Sequence, residues 1–307
     1  MAAEVVDPDG NVTVACKGVR FLVSSTAISL ASPVFHALFN SGFSEGLSLT
    51  ATGPGSNPVI QLPEDDPDAF RIFSSVAHHK LHSLPTQPSN AVLEHLAMFI
   101  DKYACVPIMR DRGRIWLQRA LESPSQEDLW LLLNFAYALD SHTFVTKVSR
   151  MIINGQKGQF RRWKYAKDHM GLLTEEVLDQ LDAIHESIIW KIQDTLMQEV
   201  TQQFRNSCAF TSDIVYPYIR RLGQGGILPC TAEFNDKSIT EILEAAARFP
   251  RTVDNYCGHN CGTCKDLRDL AERDRLLPRL RKCVMEEEGL CLRCFNKGPC
   301  SNHSGTG

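Results

Sequence analysis

The sequence predicts an α+β protein in three parts: a mixed N-terminal domain at 1–122, an all-helical region at 123–250 and a Cys/His-rich tail at 251–307. Three patterns support this division. Apolar residues alternate with period two near the N-terminus, as in strands, and recur with helical spacing over most of the chain. Seven of the eleven cysteines then lie between Cys257 and the C-terminus.

The mixed domain opens with a predicted β-hairpin followed by a helix. Apolar residues alternate along "NVTVACKGVRFLVSS", and its Lys17-Gly18 pair suits a tight turn between two strands. Ser32-Pro33 offers an N-cap and a first-turn proline for the helix "PVFHALFN". A strand is then expected at "NPVIQLP", with helices from Asp66-Pro67, over "AVLEHLAMFIDKYAC" and at about 107–121 and 126–139.

The helical region contains the longest helical signal, which runs from a plausible N-cap at Thr174 to about Phe204. Its apolar stripe is Leu178, Leu181, Ile184, Ile188, Ile192, Leu196 and Val200. This stripe predicts a core face, and the alternative is a partner groove or a dimer seam. A capping box from Ser238 to Glu241 predicts a last helix that ends near Phe249-Pro250.

Composition excludes several classes of protein. The net charge of −4 over 307 residues argues against a chain-wide nucleic-acid-binding surface, although a local basic patch stays open. The N-terminal stretch "MAAEVVDPDGN" lacks the apolar segment that a secretory signal contains. The longest nearly apolar run, Leu129 to Leu139, is short against the roughly 20 residues that cross a bilayer. We therefore expect protein partners, possibly a second copy, no membrane, and a location in the cytoplasm, the nucleus or both.

The tail carries donors for one or two structural zinc ions. Zinc prefers four Cys or His donors in a tetrahedron, and two cysteines separated by two residues can bind one ion. Two such pairs are present, together with a Cys-x-His and a Cys-x-x-His: Cys261/Cys264, Cys291/Cys294, Cys257/His259 and Cys300/His303. Because disulfides are rare inside cells, the pattern favours metal over a disulfide framework.

Sequence leaves the pairing of these donors open. In the first arrangement Cys261, Cys264, Cys291 and Cys294 share one ion and the other four donors share a second, and a swapped pairing is equally possible. The tail has few large apolar residues, so bound metal is expected to supply folding free energy, about 10–16 kcal/mol as in zinc-finger peptides. The alternative is an unliganded tail whose cysteines pack as small apolar residues.

Two motifs suggest enzymes but lack the required context. Gly42 to Gly46 fits Gly-x-Ser-x-Gly, the nucleophile elbow of hydrolases, yet a helix precedes it where a strand is required. The run from Cys257 to Cys264 resembles the middle of a RING domain, which needs a further cysteine pair upstream. No cysteine lies between Cys230 and Cys257. The sequence therefore predicts a protein without enzymatic activity.

The first 120 residues resemble a BTB/POZ domain of the kind found in many fungal proteins. Five stretches occur in the family's order: "VTVACKGVRFLVSS", "LASPVFHALF", "GFSEG", "VIQLPEDDPDAF" and "LEHLAMFIDKYAC". The "GLCLRC" segment with Cys300-x-x-His303 is also similar to a Cys/His tail on some fungal BTB proteins. The resemblance implies homodimerisation or partner docking, with Val34, Phe35, Leu38 and the hairpin as candidate contacts or, equally, as core.

The chain departs from the BTB pattern at two places. The family often has Asp before the first strand and His after the second, where this chain has Asn11 and Ser24. Many cullin-binding members carry a hydrophobic-x-Glu sequence in a loop that here runs from His79 to Asn90 without an acidic residue. The first hypothesis is thus an interaction scaffold, and a substrate adaptor of a cullin ubiquitin ligase is an alternative.

A further alternative is a nuclear regulator that binds nucleic acid through the zinc tail and a basic patch at 157–167. This patch, "KGQFRRWKYAK", places five cations around Phe160, Trp163 and Tyr165. Aromatic rings among cations can stack on bases while the cations contact phosphates. The competing interpretation is a solvated loop whose tryptophan is anchored in the core.

Overall fold

The computed structural model describes residues 2–40, 57–205, 211–251 and 262–297 and forms an α+β protein dominated by helices. By internal contacts the chain divides into two compact units. Unit 1 comprises 1–145, 165–173 and 292–307, and unit 2 comprises 146–164 and 174–291. These two units differ from the three parts expected from the sequence. The three-part division stays a prediction. None of the described helices is both long and apolar enough to span a membrane.

The sheet of unit 1 contains four strands, β1 (Glu4–Val5), β2 (Val12–Cys16), β3 (Val19–Val23) and β4 (Val59–Leu62). Their order is β1-β3-β2-β4, with β2 and β3 antiparallel and the two outer pairings parallel. Lys17 and Gly18 have φ of 42° and 89°, as a two-residue hairpin turn requires. The predicted hairpin and the "NPVIQLP" strand are confirmed.

The helices of unit 1 lie mainly between β3 and the unit boundary. They are α1 (Ser25–Ala31), α2 (Pro33–Asn40), α3 (Pro67–Ala77), α4 (Asn90–Lys102), α5 (Val106–Ala120) and α6 (Gln126–Ala138). The helices expected at about 107–121 and 126–139 are confirmed to within one residue. Helix α1 was not predicted, because only Ile28 and Ala31 of its seven residues are buried and two positions give no helical period.

An aromatic cluster forms the core of unit 1. Phe35 is fully buried and stacks on Tyr103, with 4.4 Å between ring centroids, and on Phe73 at 5.6 Å. The Ser32 hydroxyl accepts a hydrogen bond from the Phe35 amide (3.1 Å) and donates one to the Tyr103 carbonyl (2.6 Å). The predicted N-cap therefore also fixes the start of α2 to the end of α4.

Unit 2 is built around one long helix. Its helices are α9 (Glu175–Arg205), α10 (Thr211–Gln224), α11 (Ala232–Asn235), α12 (Ile239–Ala247), α13 (Gly262–Ala271) and α14 (Arg273–Met285). The α9 stripe is buried except for the half-buried Ile184, so the interpretation as core is confirmed. The predicted capping box also forms, because Ser238 and Glu241 each accept a hydrogen bond from the other's amide.

Three short or boundary-crossing helices complete the described chain. α7 (His142–Gly155) begins in unit 1 and ends in unit 2, α8 (Lys164–Asp168) begins in unit 2 and ends in unit 1, and α15 (Leu292–Lys297) belongs to unit 1. Single 3-10 turns form at Leu81–Ser83 and Phe160–Arg162.

The middle of the tail is not poor in core residues, so that expectation was wrong for α13 and α14. These helices bury Leu270, Ala271, Leu276, Leu280, Cys283 and Val284 within unit 2. Leu276, Leu280 and Val284 follow at i, i+4 spacing and form one apolar face. Because "RDRLLPRLRK" is rich in charged residues, its composition gives no sign of this apolar face. Buried apolar area therefore stabilises this segment independently of any metal.

The segment after α14 packs tightly onto the C-terminal part of α7 within unit 2. The Leu290 amide donates to Ser149 Oγ (2.8 Å), and Thr146 Oγ1 donates to the Leu290 carbonyl (3.0 Å). A Cβ on Gly289 would lie 2.2 Å from the Thr146 carbonyl oxygen. Glycine is therefore required at 289, and its close approach fixes the chain just before Cys291.

We expect Gly289→Ala to lower the midpoint of thermal unfolding. The added methyl group would collide with backbone, which cannot move aside as a flexible side chain can. Overpacking of this kind costs about 1–3 kcal/mol. Differential scanning calorimetry measures the change.

The matched control is Gly223→Ala in α10, where an added Cβ meets nothing within 4 Å. Its midpoint should stay or rise, since alanine favours a helix over glycine. Equal midpoints for the two variants would contradict the close packing at 289.

Candidate functional site

Unit 1 contains a groove of about 780 Å³ between α1, the end of α3, the turn that follows it and α5. Its walls are mainly apolar and include Ala27, Val76 and Ile108. Leu30, Leu81 and Ile115 also line it and are exposed, with 84% of Leu30 accessible to solvent. Exposed large apolar residues gathered at a groove are typical of a binding surface.

A buried histidine positions the wall that α1 forms. His78, the C-cap of α3, accepts a hydrogen bond at Nε2 from the Ser24 amide at the start of α1 (3.0 Å). Its Nδ1 lies 2.7 Å from the Ser74 carbonyl oxygen. A carbonyl oxygen can only accept, so Nδ1 carries the proton and the ring is the neutral Nδ1–H tautomer. The imidazole thus joins the N-terminus of α1 to α3.

Asn11 reinforces the same helix start. Its side-chain carbonyl accepts from the Ser25 amide (2.9 Å), and its amide nitrogen donates to Ser25 Oγ (3.0 Å). Asn11 and Ser24, the two departures from the BTB pattern, are therefore used in this structure to hold α1. Sequence reasoning missed His78, because its partner lies 54 residues away along the chain.

The rim of the groove on α5 carries one charge of each sign. Asp111 and Arg112 both line it, and neither forms an ion pair with the residues that the structure describes. The Arg112 guanidinium lies 5.9 Å from the centroid of the Trp116 ring, within the range of a cation–π contact. The two charges of the rim therefore cancel, and both side chains can pair with charged groups of a partner.

The contacts suggested by the BTB resemblance divide between core and surface. Phe35 is core, as are Phe21 and Val23 of the hairpin. Val34 is exposed and Leu38 is half-buried. Phe35 and the inward face of the hairpin therefore belong to the core, which was one of the two interpretations that the sequence left open.

The structure describes only part of the predicted zinc site. Cys257, His259, Cys261, Cys300 and His303 lie outside the described residues, and of Cys264 only the backbone, in α13, is described. Cys291 follows the anchored Leu290, Cys294 lies in α15, and both are half-buried. Within the described ranges no group of three or more His, Cys, Asp or Glu side chains is placed to bind a metal. The zinc site stays a prediction.

The cysteines outside the predicted donor set have different environments. Cys16 and Cys105 are fully buried, and burial raises the pKa of each thiol to about 12, with Asp65 contributing at Cys16. Cys283 is buried in α14, 3.2 Å from Thr195 Oγ1. Cys230 is exposed and therefore does not pack as a small apolar core residue. Cys208 lies outside the described residues.

Two cations and one ring of the basic patch form contacts within the fold. Phe160 is fully buried, and Lys157 pairs with Glu241 at 2.8 Å. Arg161 Nε lies 2.6 Å from Asp179 and 3.6 Å from Asp182. These contacts leave fewer cations and rings for bases and phosphates than the sequence suggested.

The structure does not test the two enzyme-like motifs, the Gly-x-Ser-x-Gly run and the RING-like run. Gly42 to Gly46 lies outside the described residues, as do the first three donors of the RING-like run.

No family model matches this chain, and neither does any curated protein. The BTB/POZ resemblance therefore rests on the five sequence stretches quoted above.

We expect His78→Ala to destabilise the protein, because it leaves the Ser24 amide without its acceptor and opens a cavity beside α1. An unsatisfied buried group costs about 1–3 kcal/mol. His82→Ala, at an exposed position of the following turn, is the matched control and should leave the thermal midpoint unchanged. Calorimetry compares the two, and a midpoint for His78→Ala equal to that of the control would contradict this role.

Native mass spectrometry tests the zinc prediction by counting metal. Protein purified under reducing, chelator-free conditions should carry one or two zinc ions. Cys261→Ser and Cys294→Ser should each lose at least one ion, because zinc needs four donors. Cys230→Ser, at an exposed cysteine outside the donor set, should keep the full count. A metal-free wild-type protein would exclude the site.

Proposed function

We propose that this chain is a non-enzymatic protein-interaction scaffold whose BTB/POZ-like domain, at 1–122, binds a second copy through the groove on α1 and α5. In this proposal the C-terminal tail binds zinc in a structural role. The resemblance supports the class of function, and the groove supplies a surface suited to it. The proposal does not depend on how the zinc ligands are paired.

The exposure of Leu30 carries this proposal. A leucine that is 84% accessible on a helix beside an apolar groove gains little from folding of the monomer. Burying a leucine side chain in an interface contributes about 1.5–3 kcal/mol. Leu81 and Ile115 extend the exposed apolar surface of the groove. These side chains are therefore the expected centre of an interface.

A second copy is the occupant that the charges favour. In a two-fold interface the same patch lies on both sides, so each group must find its complement on an identical surface. The rim carries both Asp111 and Arg112, and each can pair with the other type across a two-fold axis. The exposed Leu30 likewise offers a projecting side chain next to a hollow. The charges at the rim can therefore complement those of an identical surface.

The buried thiols support a location in the cytoplasm, the nucleus or both. Cys16 and Cys105 are fully buried and form no disulfide among the described residues. Thiols persist in those reducing compartments, where a Cys/His cluster is also more often a metal site than a disulfide framework.

The two alternatives receive less support from the described residues. For nucleic-acid binding, the buried Phe160 and the paired Lys157 and Arg161 reduce what the patch offers to a strand. For a cullin adaptor, the loop from His79 to Asn90 lacks the acidic residue of cullin-binding members. A pull-down with cullin should therefore be empty.

Sedimentation velocity across a concentration series tests the proposed dimer. We expect the wild-type chain to dimerise and Leu30→Asp to raise the dissociation constant by about ten-fold or more, because it places a charge at the centre of an apolar contact. Met285→Asp, at a residue of unit 2 that is 72% exposed, is the matched control and should dimerise normally. A monomeric wild-type protein would reject the second copy as occupant.

A charge exchange at the rim tests the two-fold arrangement. Asp111→Arg should weaken the dimer, because it sets arginine against Arg112 of the other copy, and like charges repel. The double variant Asp111→Arg with Arg112→Asp should recover most of the affinity. A dimer that responds to neither change nor to Leu30→Asp uses another surface, and the groove is then not its interface.

A further inference from the structure

Unit 2 contains a second concave site, a cleft of about 500 Å³ that neither the zinc tail nor the groove involves. It lies between the middle of α9, the loop at Gly158-Gln159 and the end of α11. Ile189 and the fully buried Phe234 supply apolar walls. Its volume lies within the range of sites for small organic ligands.

An exposed indole stands at this cleft. Trp190 lines it and is 66% accessible to solvent, although tryptophan is among the residues that most favour burial of their large apolar surface. Its neighbours one turn away on α9, Glu186 and Gln193, also line the cleft. An indole next to a cleft is a surface on which a flat molecule can stack.

Hydrogen-bonding groups surround the same space. Gln159, Gln193 and Asn235 each contribute a carboxamide, which offers a donor and an acceptor side by side. This pair is complementary to the edges of heterocyclic bases, as in the recognition of adenine by Asn and Gln.

His185 adds a polar atom that the fold leaves unsatisfied. Its ring lines the cleft and packs edge-on against Phe160, with 5.9 Å between centroids. Burial lowers the pKa of His185, while Asp182 and Glu186 oppose this, so the ring is neutral at physiological pH. Its Nε2 is covered and has no hydrogen-bond partner among the described residues. This unsatisfied atom lies inside the wall of the cleft, beneath its surface.

The charges around the cleft do not favour a phosphate. Lys237 supplies a cation, whereas Asp182 and Glu186 supply acids. The Asp182 carboxylate already accepts from the amides of Phe160 (2.6 Å) and Arg161 (3.2 Å). Phosphate sites gather cations and free amides, so an uncharged ligand fits this cleft better.

We propose that this cleft binds a nucleobase, with Trp190 stacked on its plane and the carboxamides of Gln159, Gln193 and Asn235 bonded to its edge. The base belongs either to a free nucleoside or to an unpaired nucleotide of a strand. Stacking and edge recognition are common to both, and neither requires a phosphate contact.

Calorimetric titration with adenosine and with a single-stranded oligoadenylate tests this inference on the full chain. Trp190→Ala should weaken binding of the base by about ten-fold or more, the effect of removing one stacked aromatic ring. Tyr216→Ala is the matched control, since Tyr216 is a similarly exposed aromatic of unit 2 (67%) outside the cleft. Circular dichroism checks that both variants fold.

The two ligands distinguish the sources of the base. Adenosine binding that is insensitive to salt and lost in Trp190→Ala supports a nucleoside site. Binding of the oligomer alone, lost in the same variant, supports a base presented by a strand. Absence of binding by both ligands, or binding unchanged in Trp190→Ala, would overturn the inference.

Discussion

The hydrogen bond from the Ser24 amide to the imidazole of His78 is the constraint on which the surface of unit 1 depends. It joins the end of β3 to α3 and fixes the residue at which α1 begins. Leu30 of α1 then lines the groove. The bond requires an unprotonated Nε2, and the Ser74 carbonyl favours this tautomer by accepting a hydrogen bond from Nδ1–H. Asp7 Oδ2 lies 3.9 Å from the same Nε2 and offers the nearest charge. A buried polar contact therefore determines the placement of an exposed apolar side chain.

The two units use different means to hold their functional surfaces. In unit 1, helix starts are fixed by side chains such as Ser32, Ser24 and Asn11, each of which bonds to backbone. In unit 2, the long apolar face of α9 supplies the support, and Trp190 projects from the opposite, solvent side of that helix. Because burial fixes α9 along its length, residues on its exposed side are presented on a rigid element, which favours precise binding sites.

Sequence reasoning succeeded where the determining contacts are local. The Lys17-Gly18 turn, the Ser238 capping box and the α9 stripe all depend on residues a few positions apart, and they were found. It failed for α1, whose two buried residues give no helical period, and for the groove, because His78 meets Ser24 only through the tertiary fold. No local pattern identifies such a pair. The predicted zinc donors depend on spacing within the tail, and their identity could be proposed although their pairing could not.

The packing of the carboxyl-terminal helices has a practical consequence for dissecting this protein. A truncation designed to remove the Cys/His-rich region as a separable module, at about residue 251, would also delete the buried faces of α13 and α14. It would strip the Leu290 anchor from Ser149 and expose the apolar surface of α9 that these helices cover. Loss of solubility in such a fragment would then report a broken core and would say nothing about metal. A boundary after Cys291 is the earliest one that keeps unit 2 whole.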